Sequence, residues 1–156
     1  MGTDVVEAVA EVSGHRPEVW DLLISPGTYT RLFTGISSCE CLADDGDSKL
    51  LRFGLCSART GPRSVSAHIT IGRYGRSFEL DSPSSGFFAN VRLHTVRDHT
   101  RVVVIVLVSG RWRPDRTPIS HSAVSRWTEA GLGRLSELAE AGGPPAAAAP
   151  VLARRT

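Results

Sequence analysis

The 156-residue chain reads as an α+β domain: a strongly curved seven-stranded antiparallel sheet wrapped around one long C-terminal helix, with two short helices after the first strand. Three observations predict this. RPEVWDLLISPGTYTRLFTGI, residues 16–36, turns to helical spacing directly after an alternating run and breaks once, at Ser25-Pro26-Gly27. Residues 36–110 alternate apolar and polar positions with turn signals between the runs, as half-buried strands do. ISHSAVSRWTEAGLGRLSELAEAG, residues 119–142, then carries one apolar stripe at helical spacing.

The first strand is DVVEAVAEVS, with Val6, Ala8, Ala10 and Val12 on one face and Glu7 and Glu11 on the other. Pro17 suits the first turn of a helix whose apolar face is Val19, Trp20, Leu22 and Leu23. Pro26 ends that helix, because the residue before a proline avoids the α region. Tyr29, Leu32 and Phe33 repeat the helical spacing and Gly35 closes the segment. ISSCECLA leads into the acidic turn Asp44-Asp45-Gly46-Asp47. KLLRFGLCSA follows, with Leu51, Phe53 and Leu55 on one face.

A turn is expected at Thr60-Gly61-Pro62-Arg63, before a strand that turns Val65, Ala67, Ile69 and Ile71 one way. Phe78 and Leu80 point inward from the next strand, and Phe87, Ala89, Val91, Leu93 and Thr95 from the one after it. The turn Arg97-Asp98-His99-Thr100 leads to RVVVIVLVSG, which is apolar on both parities and so expected to be central or covered on both faces. In the last helix Val124, Trp127, Gly131, Leu135 and Leu138 share a stripe, with Ser120 or Ser122 as caps. About 23 residues make a helix of ~34 Å, enough to cross a whole sheet.

Meander strands pair with their sequence neighbours, and the long helix buries its stripe on the concave side. The short helices then fill the end where the sheet cannot close on itself. The domain is expected over residues 1–141, with residues 142–156, rich in Pro and Ala, as a disordered tail.

Composition excludes several functions. A net charge of +2 gives no nucleic-acid tract. Lys49 is the sole lysine and sits beside an acidic turn, so Schiff-base chemistry has one poor candidate. Three cysteines, Cys39, Cys41 and Cys56, make no disulfide framework and fit a reducing compartment. Cys39-x-Cys41 lacks zinc spacing and a fourth ligand, so no metal is expected. The N-terminus lacks a signal-peptide pattern, and Val6 stands where a myristoylation motif needs Ser or Thr. No run reaches membrane-span length. A cytoplasmic protein, monomer or homodimer, without nucleic-acid or membrane partners and without a cofactor, is expected.

Val19-Trp20 in PEVWDLL, the Ser25-Pro26 break, the Phe33-Thr34-Gly35-Ile36 step and the DHTRVV turn, residues 98–103, together carry a family resemblance over residues 4–141. The chain resembles the helix-grip fold of the START/Bet v 1-like (SRPBCC) superfamily, particularly its bacterial polyketide cyclase/dehydrase-type members. Relatives often carry a glycine partway along the last helix, a place that either Gly131 or Gly133 fills here. The resemblance implies a cofactor-independent cyclase or dehydratase acting on a hydrophobic polyketide-like or aromatic intermediate in natural-product biosynthesis. The alternative is a non-catalytic carrier of a hydrophobic small molecule.

The alternation itself predicts an apolar cavity wall of Phe53, Leu55, Ile69, Ile71, Phe78, Leu80, Val91 and Leu93. Tyr29 and Phe33 are expected at its mouth, Ser57 and Thr95 as polar groups on the inward parity, and Trp127 on the helix. His121, near the start of that helix, is the candidate general acid or base. A strand slip would instead turn Arg52, His68, Glu79, Asp81, Asn90, Arg92 and His94 inward. The Arg111, Arg113 and Arg116 loop is a further candidate, for holding an anionic group.

Overall fold

In the computed structural model β1 (Thr3–Ser13) is followed by α1 (Arg16–Ile24) and by a 3-10 turn (Pro26–Thr28) that runs into α2 (Tyr29–Leu32). Six strands come next: β2 (Ile36–Asp44), β3 (Ser48–Ser57), β4 (Gly61–Arg73), β5 (Ser77–Ser82), β6 (Phe87–Val96) and β7 (His99–Ser109). The helix α3 (His121–Glu140) ends the fold. The structure describes residues 3–57, 61–83, 86–109 and 121–141, and only the backbone of residues 3, 4, 57, 61, 109 and 121–123. The expected tail over 142–156, the arginine loop and the cap Ser120 lie outside the described residues.

Every strand pair is antiparallel, in the order β1-β7-β6-β5-β4-β3-β2. The first strand therefore pairs with the last, leaving β1 and β2 as the two edges. Register shifts between Ile36 and Ser38, Cys41 and Ala43, and Ile71 and Arg73 mark bulges, which bend and twist a sheet locally. Gly54 pairs with Ser38 at the first bulge, where a Cβ would stand 3.1 Å from Ser37 Oγ.

Alternation decides which face is buried. Val6, Ala8 and Val12 of β1 are buried, whereas Val5 and Val9 are 52% and 54% exposed. α3 packs across β1, and α1 touches β6, β7 and α3. Trp20 of α1 packs edge-on to Phe78, with ring centroids 5.6 Å apart, and against Tyr74 at the same distance. α2 lies between β2 and α3 and covers the other end of the concave face. The interruption at residues 16–36 thus supplies the packing that an open sheet needs between its two edges.

The structure departs from the expected turns in two places, and from the expected burial of β7. Gly61, Pro62 and Arg63 belong to β4, paired with Ser57, Cys56 and Leu55. β5 pairs with β4 only from His68 onward, so Pro62 has an open side where a missing N–H breaks no ladder bond. The β6–β7 turn is Arg97-Asp98 alone, with Arg97 at φ +57°, and His99 and Thr100 already pair across the ladder. β7 lies one place from the edge, and its 100, 102, 104, 106 and 108 positions are buried. Its other face, Val103, Ile105 and Leu107, is half-buried.

Among the described residues no helix is long and apolar enough to cross a membrane.

Candidate ligand cavity

The site begins with how Phe33 is held. α3 grips the chain on both sides of it. The Arg134 guanidinium donates to the Leu32 carbonyl (2.5 Å) and to Thr34 Oγ1 (3.3 Å), and the Trp127 indole donates to the Thr34 carbonyl (3.2 Å). Positions 127, 131 and 134 share one face of α3, since residues three and four apart are neighbours. The Phe33 ring lies in the notch at Gly131, where a Cβ would come within 2.7 Å of Phe33 Cδ1 and Cζ. Gly133 faces open space, which assigns the close-approach glycine to position 131.

These contacts build an aromatic end wall. Phe33 stacks on Trp127 with centroids 4.3 Å apart and planes 25° from parallel. Tyr29 lies nearly parallel to Phe33 at 6.4 Å and edge-on to Phe53 at 5.8 Å.

Next to this wall, α3 and the concave sheet enclose a cavity. Its floor is Phe53, Leu55, Val65, Ala67, Phe78, Leu80, Ser82, Phe87, Ala89, Val91, Val104 and Val106; its roof is Thr128, Gly131, Leu132 and Leu135; Leu23, Tyr29, Leu32, Phe33, Ile36 and Trp127 close the end. The cavity has a volume of about 150 Å³ and is open at its mouth. An apolar cavity of ~150 Å³ is large enough to hold benzene.

Among the described residues, four side chains on the wall carry a proton that could be donated, and each already gives it to a carbonyl. The Tyr29 hydroxyl donates to Leu23 (2.6 Å), Ser82 to Ser66 (2.6 Å), Thr128 to Val124 (2.8 Å) and Trp127 to Thr34 (3.2 Å). Burial pushes the Tyr29 phenol far above its ordinary value, so it stays protonated. No charged side chain lines the cavity among the described residues.

Of the residues expected here, Tyr29, Phe33, Phe53, Leu55, Phe78, Leu80, Val91 and Trp127 lie together on the wall. Ile69 and Leu93 point inward and are buried, but they are core residues off the wall. Thr95 is exposed, off the wall, and accepts a 3.0 Å bond from Arg16 at the start of α1, which packs beside β6. Ser57 and His121 stand in β3 and α3, and their side chains lie outside the described residues.

The opposite polar set faces out: Arg52, His68, Glu79, Asp81, Arg92 and His94 are exposed, with Asn90 half-buried among them. Arg52 pairs with Glu40 (Nε–Oε1 2.9 Å), and Asn90 bonds Arg92 and Glu79. No strand slip occurs at these positions.

Cys39 is half-buried, and burial, aided by the charges of Cys41 and Glu40, pushes its thiol up to about 11. Cys41 and Cys56 are exposed. The described residues contain no cluster of three metal-ligating side chains. Lys49 pairs with Asp44 at 2.6 Å.

Alternation also marked Val65, Ala67, Phe87 and Ala89 as inward, so their place on the wall was open to prediction. Val104 and Val106 were hidden by a strand apolar on both parities. Thr128 gave no signal, because a threonine in a helix says nothing about which carbonyl it bonds.

A curved seven-stranded sheet gripping a C-terminal helix, with short helices between its edges, is the helix-grip fold. The ZhuI aromatase/cyclase from Streptomyces sp. R1128 shares it with a TM-score of 0.68, over 92% of this chain and 100% of that one, at 16% identity. The di-domain aromatase/cyclase StfQ, from the steffimycin biosynthetic pathway, gives 0.69 over 89% of this chain at 9% identity; this chain spans 51% of its length. Ara h 8.0201 gives 0.65 over 90% of this chain and 100% of that one, at 10% identity. No family model matches the sequence, and no curated protein matches it.

Proposed function

We propose that this protein binds a small apolar ring compound between α3 and the sheet. The carrying observation is the cavity itself, lined from every layer by aliphatic and aromatic side chains and closed at one end by a stacked Phe33–Trp127 pair. Ligand sites are usually such apolar, largely pre-formed concavities. A stacked aromatic wall favours flat ligands, since ring pairs gain ~0.5–1.5 kcal/mol beyond the area they bury.

A second reading, a cyclase or dehydratase acting on a hydrophobic polyketide-like intermediate, draws on the aromatase/cyclase names of two proteins sharing the fold. In that reading the cavity folds the substrate and positioning supplies most of the rate. His121 on the first turn of α3 is its candidate acid or base.

Native mass spectrometry of the purified protein, before and after denaturation, tests both. A retained apolar molecule that leaves unchanged supports binding alone. Conversion of that molecule on incubation, abolished by His121→Ala, supports the enzyme. A protein that arrives empty and takes up no added naphthalene contradicts both readings.

A further inference from the structure

Resting on the binding reading, we infer that the cavity selects ligands whose buried end carries no hydrogen-bond acceptor, so that hydrocarbon-like rings bind more tightly than ketones and carboxylates of the same shape. The four wall donors are all turned away from the ligand. Tyr29, Ser82 and Thr128 each have one hydroxyl proton, and each is engaged by a carbonyl 2.6–2.8 Å away. The Trp127 indole N–H is engaged by Thr34. Breaking any of these bonds to serve the ligand would leave a protein carbonyl without its donor. For the Tyr29 and Thr128 bonds that carbonyl is buried, where losing a partner is expensive. A ligand carbonyl therefore sheds its water and receives nothing in return.

Charge makes the exclusion stronger. The described wall offers a carboxylate no cation. Arg134, beside the aromatic end, is committed to Leu32 and Thr34. Among the described residues the same geometry leaves a developing oxyanion no free side-chain donor on this wall, which bears on the second reading as well as the first.

Size sets the probe. A space of about 150 Å³ that is open at its mouth suits one to two fused rings. The test compares 2-isopropenylnaphthalene, its isostere 2-acetylnaphthalene and 2-naphthoate on the intact protein, with dissociation constants from ligand-observed NMR. The two neutral probes differ by C=CH2 against C=O, so shape is held fixed. The expected result is binding of 2-isopropenylnaphthalene, with 2-acetylnaphthalene at least ~10-fold weaker. Naphthoate is expected to be ~100-fold weaker at neutral pH, recovering as the pH falls towards the carboxyl's own pKa. Equal or tighter binding of the ketone or the carboxylate would overturn the inference while leaving the cavity reading intact. Failure of 2-isopropenylnaphthalene itself to bind would remove the reading on which the inference rests.

Discussion

Alanine at position 131 should destabilise the protein, although the same change two residues later should stabilise it. Glycine in a helix interior costs about 1 kcal/mol relative to alanine, so both replacements begin with that gain. At Gly133 nothing lies within 4 Å of the new Cβ, and the gain should appear in full. At Gly131 the Cβ would come within 2.7 Å of Phe33 Cδ1 and Cζ, well inside van der Waals contact. The ring has little room to give. It is stacked on Trp127 at 4.3 Å, and the backbone on either side of it is bonded to α3 through Arg134 and Trp127. Overpacking of this kind costs ~1–3 kcal/mol. The net for Gly131→Ala is therefore a loss of roughly 1 kcal/mol, and the two variants should differ by about 2 kcal/mol. Urea unfolding followed by tryptophan fluorescence reads this directly. Equal stabilisation by both alanines would mean that Phe33 does not lie over Gly131, and the aromatic end wall would have to be redrawn.

Arg134→Met keeps the aliphatic stem but removes the bonds to Leu32 and Thr34; a loss of about 1–2 kcal/mol in urea unfolding is expected, with faster ligand release by NMR exchange. The thiolate is the reactive form of cysteine, so with its pKa pushed up to about 11 Cys39 should be alkylated by iodoacetamide last, after the exposed Cys41 and Cys56. Peptide mass mapping over a time course gives the order. Bonds from Arg101 and His99 hold the Glu11 carboxyl below its ordinary 4.5, so its stabilising contribution is complete above that value and fades as the pH falls through the lower folded value. Glu11→Gln should therefore differ from wild type in urea midpoint near neutrality and converge with it in acid; a constant difference across that range would contradict the linkage.

The sheet was legible because its strands are two-faced. Val6, Ala8 and Val12 against Glu7 and Glu11 fix the inward side of β1 without any structure, and Phe53, Phe78 and Val91 follow the same rule. Where that rule is silent, the sequence was ambiguous. β7 is apolar on both parities, so only its pairing with β1 and β6 shows that Val104 and Val106 face the cavity. Thr95 has inward parity, yet a bond from Arg16 holds it at an exposed end of β6 beside α1, a tertiary contact 79 residues away in the chain. The two glycines of α3 look alike in sequence. They separate only once Phe33, about a hundred residues earlier, is placed against one of them. The engagement of Tyr29 and Thr128 with carbonyls is likewise a property of the folded chain, and it decides what chemistry the wall can offer.

The measurement that bears most directly on the central claim is methyl NMR on protein labelled at its Leu, Val and Ile methyls, titrated with 2-isopropenylnaphthalene. The account predicts shifts at Leu55, Leu80, Val91, Val104, Val106 and Leu132, which line the cavity, with Val5 and Val9 on the outer face unmoved. Shifts centred on Val5 and Val9, or none anywhere, would contradict it.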